Sequence, residues 1–103
     1  MAWLMISVYI TCKSMAEAKR IAAKLLESKL IACANMFPVE SMFNWKGKVK
    51  DIKEVAMLCK AKKGNFRKIN EMVTKLHSYE VPCVAALSIT DSNKGYESWV
   101  RNG

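Results

Sequence analysis

Two strand-like segments occupy the middle of this chain and are joined by only three residues. The first, IACANMFPVESMFNW, covers 31–45, the second, VKDIKEVAMLCKA, covers 49–61, and KGK lies between them. Strand-like runs joined by so short a glycine-containing link form a β-hairpin. Arms of about 13 residues span roughly 40 Å, whereas ordinary strands span ~17–20 Å. The tip of this hairpin therefore has to project past the rest of the fold.

A strand and a helix flank the hairpin on each side. WLMISVYIT at 3–11 is rich in β-branched and aromatic residues, which favours a buried strand. Ser14 and Glu17 then form the S-x-x-E capping arrangement before a run with apolar residues at steps of three and four. After the hairpin, a second helical run starts near Asn65, and CVAALSIT at 83–90 predicts a fourth strand before a short C-terminal helix.

The order β-α-β-β-α-β with a terminal helix predicts an α+β fold, a ferredoxin-like sandwich with an extended β2-β3 hairpin, in a single domain covering 1–103. We expect the strand order 4-1-3-2, with parallel central strands and both helices on one face of the sheet. Pro38 cannot donate to a strand ladder, so it predicts a bulge or an edge position.

The composition fits a folded protein with a generally basic surface. Lys and Arg number 17 against 9 Asp and Glu, giving a net charge of +8 spread along the chain. No run reaches the roughly 18 apolar residues of a membrane span, and the first residues lack signal-peptide features, so we expect a cytoplasmic protein and no membrane partner. The four cysteines form no C-x-x-C pair, which favours buried reduced thiols over metal or redox roles.

One copy of this chain has too little cover for its sheet. Strands one, three and four read as continuous apolar runs, which is typical of strands buried on both faces, yet two helices cover only one face. Met5, Tyr9 and their neighbours are expected to leave an apolar patch, and the projecting hairpin carries Phe43 and Trp45. The sequence therefore predicts a homo-oligomer in which the hairpin pairs with a neighbouring subunit.

LHSYEVPCV at 76–84 contains the only histidine, His77, at the predicted joint between a helix and a strand. A neutral imidazole is a ligand for copper or zinc, and thiolates favour copper(I). With parallel central strands, all four thiols would lie toward one end of the sheet near His77. The alternative interpretation is structural: a histidine in the last helical turn interacts favourably with the helix dipole, and Tyr79 and Glu80 fix the loop or bridge subunits.

Four segments together resemble the CutA family, the divalent-cation tolerance proteins, over nearly the whole chain. They are SKLIACANMFP, FNWKGKVKDIKEVAMLCKAK, LHSYEVPCVAALSITDSN and the terminal YESW. The resemblance implies a homotrimer of ferredoxin-like subunits, similar in build to the PII signalling proteins, with a role in tolerance of copper and other divalent metals. It implies no reaction, so we expect no enzyme activity, no catalytic residue and no required cofactor.

The resemblance also suggests site residues. The family's motif positions fall here on Cys33, Asn35, Trp45, Gly47, Lys60, His77, Tyr79, Glu80, Pro82, Tyr96 and Trp99. We expect a ligand-binding pocket between subunits, for a small anion or a metal ion, built from Cys33, Trp45, Lys60, His77, Tyr79 and Glu80.

The metal ligands that the resemblance implies, for copper or another divalent cation, are His77 and a first-strand thiol. The family's thiol position aligns with Ile10, and Cys12 lies two residues later, so Cys12 is the thiol assigned here. Ser78 and Ala61 also depart from the family pattern, which has proline and threonine there.

Three functional classes follow. The first is a trimeric binding or sensor protein for metal tolerance. The second is a basic ferredoxin-like module for single-stranded nucleic acid, although EVAMLCKA offers no aromatic ring for base stacking and no specific nucleic acid is expected. The third is a thiol enzyme with a Cys–His pair, which His77→Ala would inactivate.

Overall fold

The computed structural model describes residues 4–102 as a four-stranded antiparallel sheet with three helices. The sheet has the order β2-β3-β1-β4. The elements are β1 (Met5–Cys12), α1 (Met15–Glu27), β2 (Cys33–Trp45), β3 (Lys48–Lys62), α2 (Phe66–Leu76), β4 (Val84–Ile89) and α3 (Lys94–Asn102), with a 3-10 turn at Lys63–Asn65 before α2. The predicted ferredoxin-like α+β fold, long hairpin and terminal helix are confirmed. Trp3, predicted in the first strand, lies outside the described residues.

The central strands β1 and β3 are antiparallel, so the expectation of parallel central strands was wrong. Helix α1 returns the chain to the end of the sheet at which β1 begins, so β2 runs in the same direction as β1. The hairpin then reverses the chain, so β3 is antiparallel to β1. Cys12 pairs with Val55, whereas Cys59 pairs with Val8, four residues or about 13 Å along the strand. The four thiols therefore do not gather at one end of the sheet.

One face of the sheet packs against α1 and α2 to form the core. Every second side chain of β1 points toward the helices because side chains alternate along a strand. These side chains pack against one apolar face of α1 and one of α2. No helix in the described part of the chain is both long and apolar enough to cross a membrane. The fully buried core side chains include Val8, Ile10, Cys12, Ile21, Leu25, Met57, Cys59, Ile69 and Val73.

The hairpin extends well beyond the rest of the sheet. Its last seven pairs, from Val39 with Glu54 to Trp45 with Lys48, continue where β3 has no β1 partner. Lys46 and Gly47 have positive φ angles of 51° and 80°, as a two-residue type I′ turn requires. Pro38 lies on the edge strand β2 in unbroken register, so the edge alternative holds rather than the bulge.

The second face of the sheet is covered only in part. Helix α3 packs against β1 and β3, and Tyr96 Oη lies 3.1 Å from Cys33 Sγ. Met5 is buried, contrary to the expectation that it lies in an open patch. The exposed apolar side chains of this face include Leu87, 54% exposed, and Phe37, 37% exposed. A single chain still leaves apolar surface on this face without cover.

Candidate functional site

Three potential metal ligands meet where β1 ends, α1 begins and α2 leads into β4. Ligand atoms of Cys12, Glu17 and His77 all lie within 4.8 Å of one another. We call these three residues the joint cluster. Cys12 is the last residue of β1, Glu17 lies in the first turn of α1, and His77 caps the C-terminus of α2.

Both ring nitrogens of His77 are engaged in hydrogen bonds. The backbone N–H of Tyr79 donates to Nδ1 at 3.1 Å, so Nδ1 carries a lone pair. The proton is therefore on Nε2, which donates to the Thr11 carbonyl oxygen at 2.7 Å. The backbone N–H of His77 also donates to the Val73 carbonyl at 2.9 Å, as a helix cap. His77 thus connects the end of α2 to the end of β1.

Glu17 is buried and accepts backbone hydrogen bonds from two separate loops. Oε1 accepts from the Lys13 N–H at 3.0 Å, and Oε2 accepts from the Ser78 N–H at 2.9 Å. The Ser14 hydroxyl accepts in turn from the Glu17 N–H, which confirms the predicted cap, although Glu17 reaches Lys13 rather than Ser14. Burial by itself raises the pKa of Glu17, but the Ser78 and Lys13 hydrogen bonds and nearby His77 outweigh it, so the pKa is lowered.

The Cys12 thiol is fully buried beside these groups and lies 3.7 Å from Met57 Sδ. Burial, and then the negative charges of Glu17 and Glu54, raise the pKa of Cys12 to about 11. The thiol is therefore protonated near neutral pH. A catalytic or metal-binding cysteine needs the thiolate, which this environment disfavours.

A groove of about 480 Å³ lies next to the joint cluster, between the hairpin and the α2–β4 loop. Trp45, Tyr79 and Glu80 of the predicted pocket line it, together with Phe43, Lys50, Ile52, Glu54, Val81, Cys83 and Thr11. The Tyr79 hydroxyl donates to Glu54 Oε2 at 2.7 Å, and burial followed by this bond raises the pKa of Tyr79. One chain thus brings its own hairpin and helix–strand joint to the same groove.

Cys33 and Lys60 of the predicted pocket do not line this groove. They pair with each other across β2 and β3, and Lys60 lies six residues from Glu54, about 20 Å along the strand. Lys60 Nζ donates to Asn35 Oδ1 at 2.7 Å, and Cys33 lies against Tyr96. Within one chain, the predicted pocket residues are therefore split among three places: the groove, the Cys33–Lys60 pair, and the joint cluster that contains His77.

A family model described as CutA1 divalent ion tolerance protein matches residues 6–103. The chain belongs to the CutA1 family. Curated relatives include the divalent-cation tolerance protein CutA of Archaeoglobus fulgidus, 42% identical over 90% of this chain and 91% of that protein. Human protein CutA is 35% identical over 92% of this chain and 54% of its own length.

Solved CutA structures share the whole architecture. A protein named as the periplasmic divalent cation tolerance protein CutA of A. fulgidus superposes with a TM-score of 0.95 at 39% identity, covering 96% of this chain and 97% of its own. The divalent cation tolerance protein of Thermus thermophilus gives 0.93 at 37% identity, with 96% and 97% covered. The family resemblance read from the sequence is confirmed.

Two carboxylates of this CutA1 chain were missed as site residues. Glu17 was interpreted only as a capping residue, and its bond to Ser78 spans 61 residues of sequence, which no local pattern reveals. Glu54 lies in β3 and was given no role, but it is 7% exposed and accepts from Tyr79. An S-x-x-E glutamate near a strand end was the one available signal for Glu17.

The thiols of this CutA1 protein should differ widely in reactivity. Burial raises the pKa of Cys83 too, but this thiol is exposed, whereas the buried Cys12 and Cys59 have pKa values raised to about 11 and about 12. At pH 8 the thiolate fractions of these two buried residues are then on the order of 10⁻³ and 10⁻⁴. Timed iodoacetamide labelling followed by peptide mass spectrometry should show Cys83 modified well before Cys12 and Cys59. Equal rates for Cys83 and Cys12 in the folded protein would contradict the burial; urea-unfolded protein is the control.

Proposed function

We propose that the protein is a homotrimeric, non-catalytic binding protein that acts in tolerance of divalent cations. The observation that carries the proposal is the joint cluster, which brings a sulfur, a carboxylate and an imidazole within 4.8 Å in a member of a divalent-ion tolerance family. Such a mixed set of donors suits borderline or soft cations such as copper and zinc.

The chemistry of the three donor groups fits a cation. A metal ion would, however, compete with existing hydrogen bonds for the donor atoms of His77 and Glu17. The Nδ1 lone pair of His77 accepts from Tyr79, and each oxygen of Glu17 accepts a backbone N–H. The Cys12 thiol must also lose a proton, because its pKa is raised to about 11. A metal held by Cys12 and His77, with Glu17 beside them, would therefore bind less tightly than one in a preformed site.

Titration of copper(II) and zinc into reduced protein tests this assignment. We expect His77→Ala and Cys12→Ser each to weaken metal binding by about tenfold or more, because each removes a donor. Isothermal calorimetry would measure the affinity, and circular dichroism would verify that each variant is folded.

Two matched variants locate the binding. Cys59→Ser makes the same chemical change at a buried thiol on the other half of the sheet, and Glu80→Gln changes the neighbouring groove. Both should leave the affinity unchanged. If Glu80→Gln alone weakens binding, the metal sits in the groove; if none of the four variants matters, the joint cluster is not the site.

The trimer is supported by the surface that one chain leaves open. Leu87 and Phe37 are exposed on the second face, and Met42, 71% exposed, and Val49, 66% exposed, lie on the projecting hairpin. Both β4 and β2 are edge strands, with unpaired backbone groups along their outer sides. Edge pairing between subunits would satisfy these groups and cover the apolar side chains at the same time.

We propose that the groove is the small-ligand site of a PII-like signalling trimer. Its aromatic walls and few polar groups are typical of ligand pockets. Its charged side chains are Lys50, Glu54 and Glu80, so carboxylates outnumber cations. This charge favours a cationic ligand over the small anion, which was one of the two ligands expected from the sequence, because Lys60 and His77 do not line the groove.

Two further features support the proposal that the protein is not catalytic and that it resides in a reducing compartment. The Cys12 thiol is protonated and His77 has both nitrogens bonded, so neither forms an activated nucleophile–base pair. The described cysteines are all free thiols, and Cys83 is exposed. We therefore propose a cytoplasmic location, although a relative is named as periplasmic and another as chloroplastic.

A further inference from the structure

The two helices leave a second groove on the helix layer, and no residue of the joint cluster lines it. Arg20 Nη1 donates to the Leu76 carbonyl at 3.4 Å, and the Ser28 hydroxyl lies 3.9 Å from Met72 Sδ. As α1 advances from Arg20 to Ser28, its contacts on α2 move backward, so the helices are antiparallel. A groove of about 540 Å³ lies between them. We call it the lysine groove.

The lysine groove has an apolar floor and a basic rim. Leu30, Met72 and Leu76 are half-buried and pack against the core, and Lys24, Lys68 and Lys75 stand around them with Ser28 and Glu71. An apolar floor of this kind, open to water, is unlike the charged outer surface expected of a helix layer.

The charge of the rim is only partly balanced within the chain. Glu71 pairs with Arg67 at 3.5 Å, and Lys24 pairs with Glu27 at 3.8 Å. Lys68 and Lys75 are exposed and form no ion pair with any residue in 4–102. Two uncompensated ammonium groups therefore face whatever occupies the groove.

The spacing of these residues matches the contact face of a helix pair. Lys68, Met72, Lys75 and Leu76 occupy positions i, i+4, i+7 and i+8 of α2, which share one side of a helix. Lys68 and Lys75 are two turns apart, about 10.5 Å. Apolar positions flanked by charges at this spacing form the seam of helix–helix pairs, where the partner presents leucines flanked by glutamates.

We propose that the lysine groove binds an acidic amphipathic helical segment of a partner protein. The partner's apolar side chains would contact Leu30, Met72 and Leu76, and its carboxylates would pair with Lys68 and Lys75. The flexible Met72 side chain can adapt to different apolar side chains. The proposal depends neither on the metal assignment nor on the trimer, because the groove lies on the helix layer, whereas the uncovered sheet face lies on the opposite side.

A synthetic peptide tests the proposal. The probe is a fluorescently labelled peptide of about 15 residues with leucines at i, i+3, i+4 and i+7 and glutamates on both flanks of that stripe. Fluorescence anisotropy should give a Kd on the order of 10–100 μM. Nitrogen-15 NMR spectra of the labelled protein should show the largest shifts at Lys68, Met72 and Lys75.

A charge-reversal pair separates the groove from general attraction to a basic protein. The double variant Lys68→Glu, Lys75→Glu should lose at least about tenfold in affinity. The control Lys19→Glu, Lys53→Glu makes the same change in net charge at exposed lysines outside the groove and should retain binding.

Several results would overturn the proposal. These are equal losses in both double variants, equal binding of a scrambled peptide of the same composition, and no binding up to about a millimolar. Tighter, groove-dependent binding to vesicles of anionic phospholipid would instead assign the surface to membranes.

Discussion

Glu17→Ala should lower the free energy of unfolding by about 2–4 kcal/mol, the largest effect of any single polar residue described above. The substitution leaves the backbone N–H groups of Lys13 and Ser78 without their acceptor in a partly buried place. It also removes the 3.7 Å ion pair with Arg20. The loss combines desolvated donors with a loosened α2–β4 loop, so it exceeds that of an ordinary helix cap.

Urea unfolding followed by circular dichroism would measure the change. Glu27→Ala is the matched control, because Glu27 lies in the same helix and forms only an exposed pair with Lys24. Its cost should stay within about 0.5 kcal/mol. Equal, small losses in both variants would show that the buried bonds of Glu17 contribute little to stability.

The contribution of Glu17 to the free energy of unfolding should decrease as the pH falls. The pKa of Glu17 is lowered in the folded protein, so its contribution is present above the unfolded value of about 4.3 and is lost as pH falls through the folded pKa. The stability difference between the wild type and Glu17→Gln should therefore shrink in acid. A difference that stays constant from neutral pH to about pH 3 would contradict a lowered pKa.

Leu87→Glu should dissociate the proposed trimer into single chains. In one chain Leu87 is 54% exposed, so a glutamate there would cost little if the protein were monomeric. In a trimer that covers this face, the carboxylate would be buried without a partner, at a cost of several kcal/mol per chain. We therefore expect loss of the oligomer and, because folding and association are linked, a lower and concentration-dependent melting temperature.

Light scattering distinguishes the outcomes, because each chain has a mass of 11.6 kDa. The wild type should scatter as three chains and the variant as one. Leu26→Glu is the matched control: Leu26 is 43% exposed on α1, on the opposite side of the sheet, and its change should leave the trimer intact. A wild type that is a stable single chain would remove the trimer and its edge pairing from the proposed function.

The sequence predicts the elements well because local patterns determine them. The hairpin follows from two apolar runs around KGK, and the start of α1 follows from Ser14 and Glu17. The relative direction of β1 and β3 depends on the helical crossover and the hairpin together, which no local pattern shows. The prediction of parallel central strands was therefore wrong. As a result, the predicted gathering of the four thiols failed with it.

The candidate site was only partly accessible from the sequence. The approach of Cys12 to His77 follows once β1 and α2 are known to end on the same side, and the structure brings them together. The roles of Glu17 and Glu54 depend on side chains that meet across 61 and 25 residues. Burial and hydrogen bonding at such separations are products of packing, which residue spacing does not encode.

Tyr79 forms hydrogen bonds in both the groove and the joint cluster. Its hydroxyl is bonded to Glu54 in the groove, and its backbone N–H occupies the lone pair of His77 in the joint cluster. A ligand that displaced the backbone N–H of Tyr79 would free the Nδ1 lone pair of His77. By linkage, if this displacement strengthens cation binding at that nitrogen, the bound cation must strengthen binding of the ligand by the same factor.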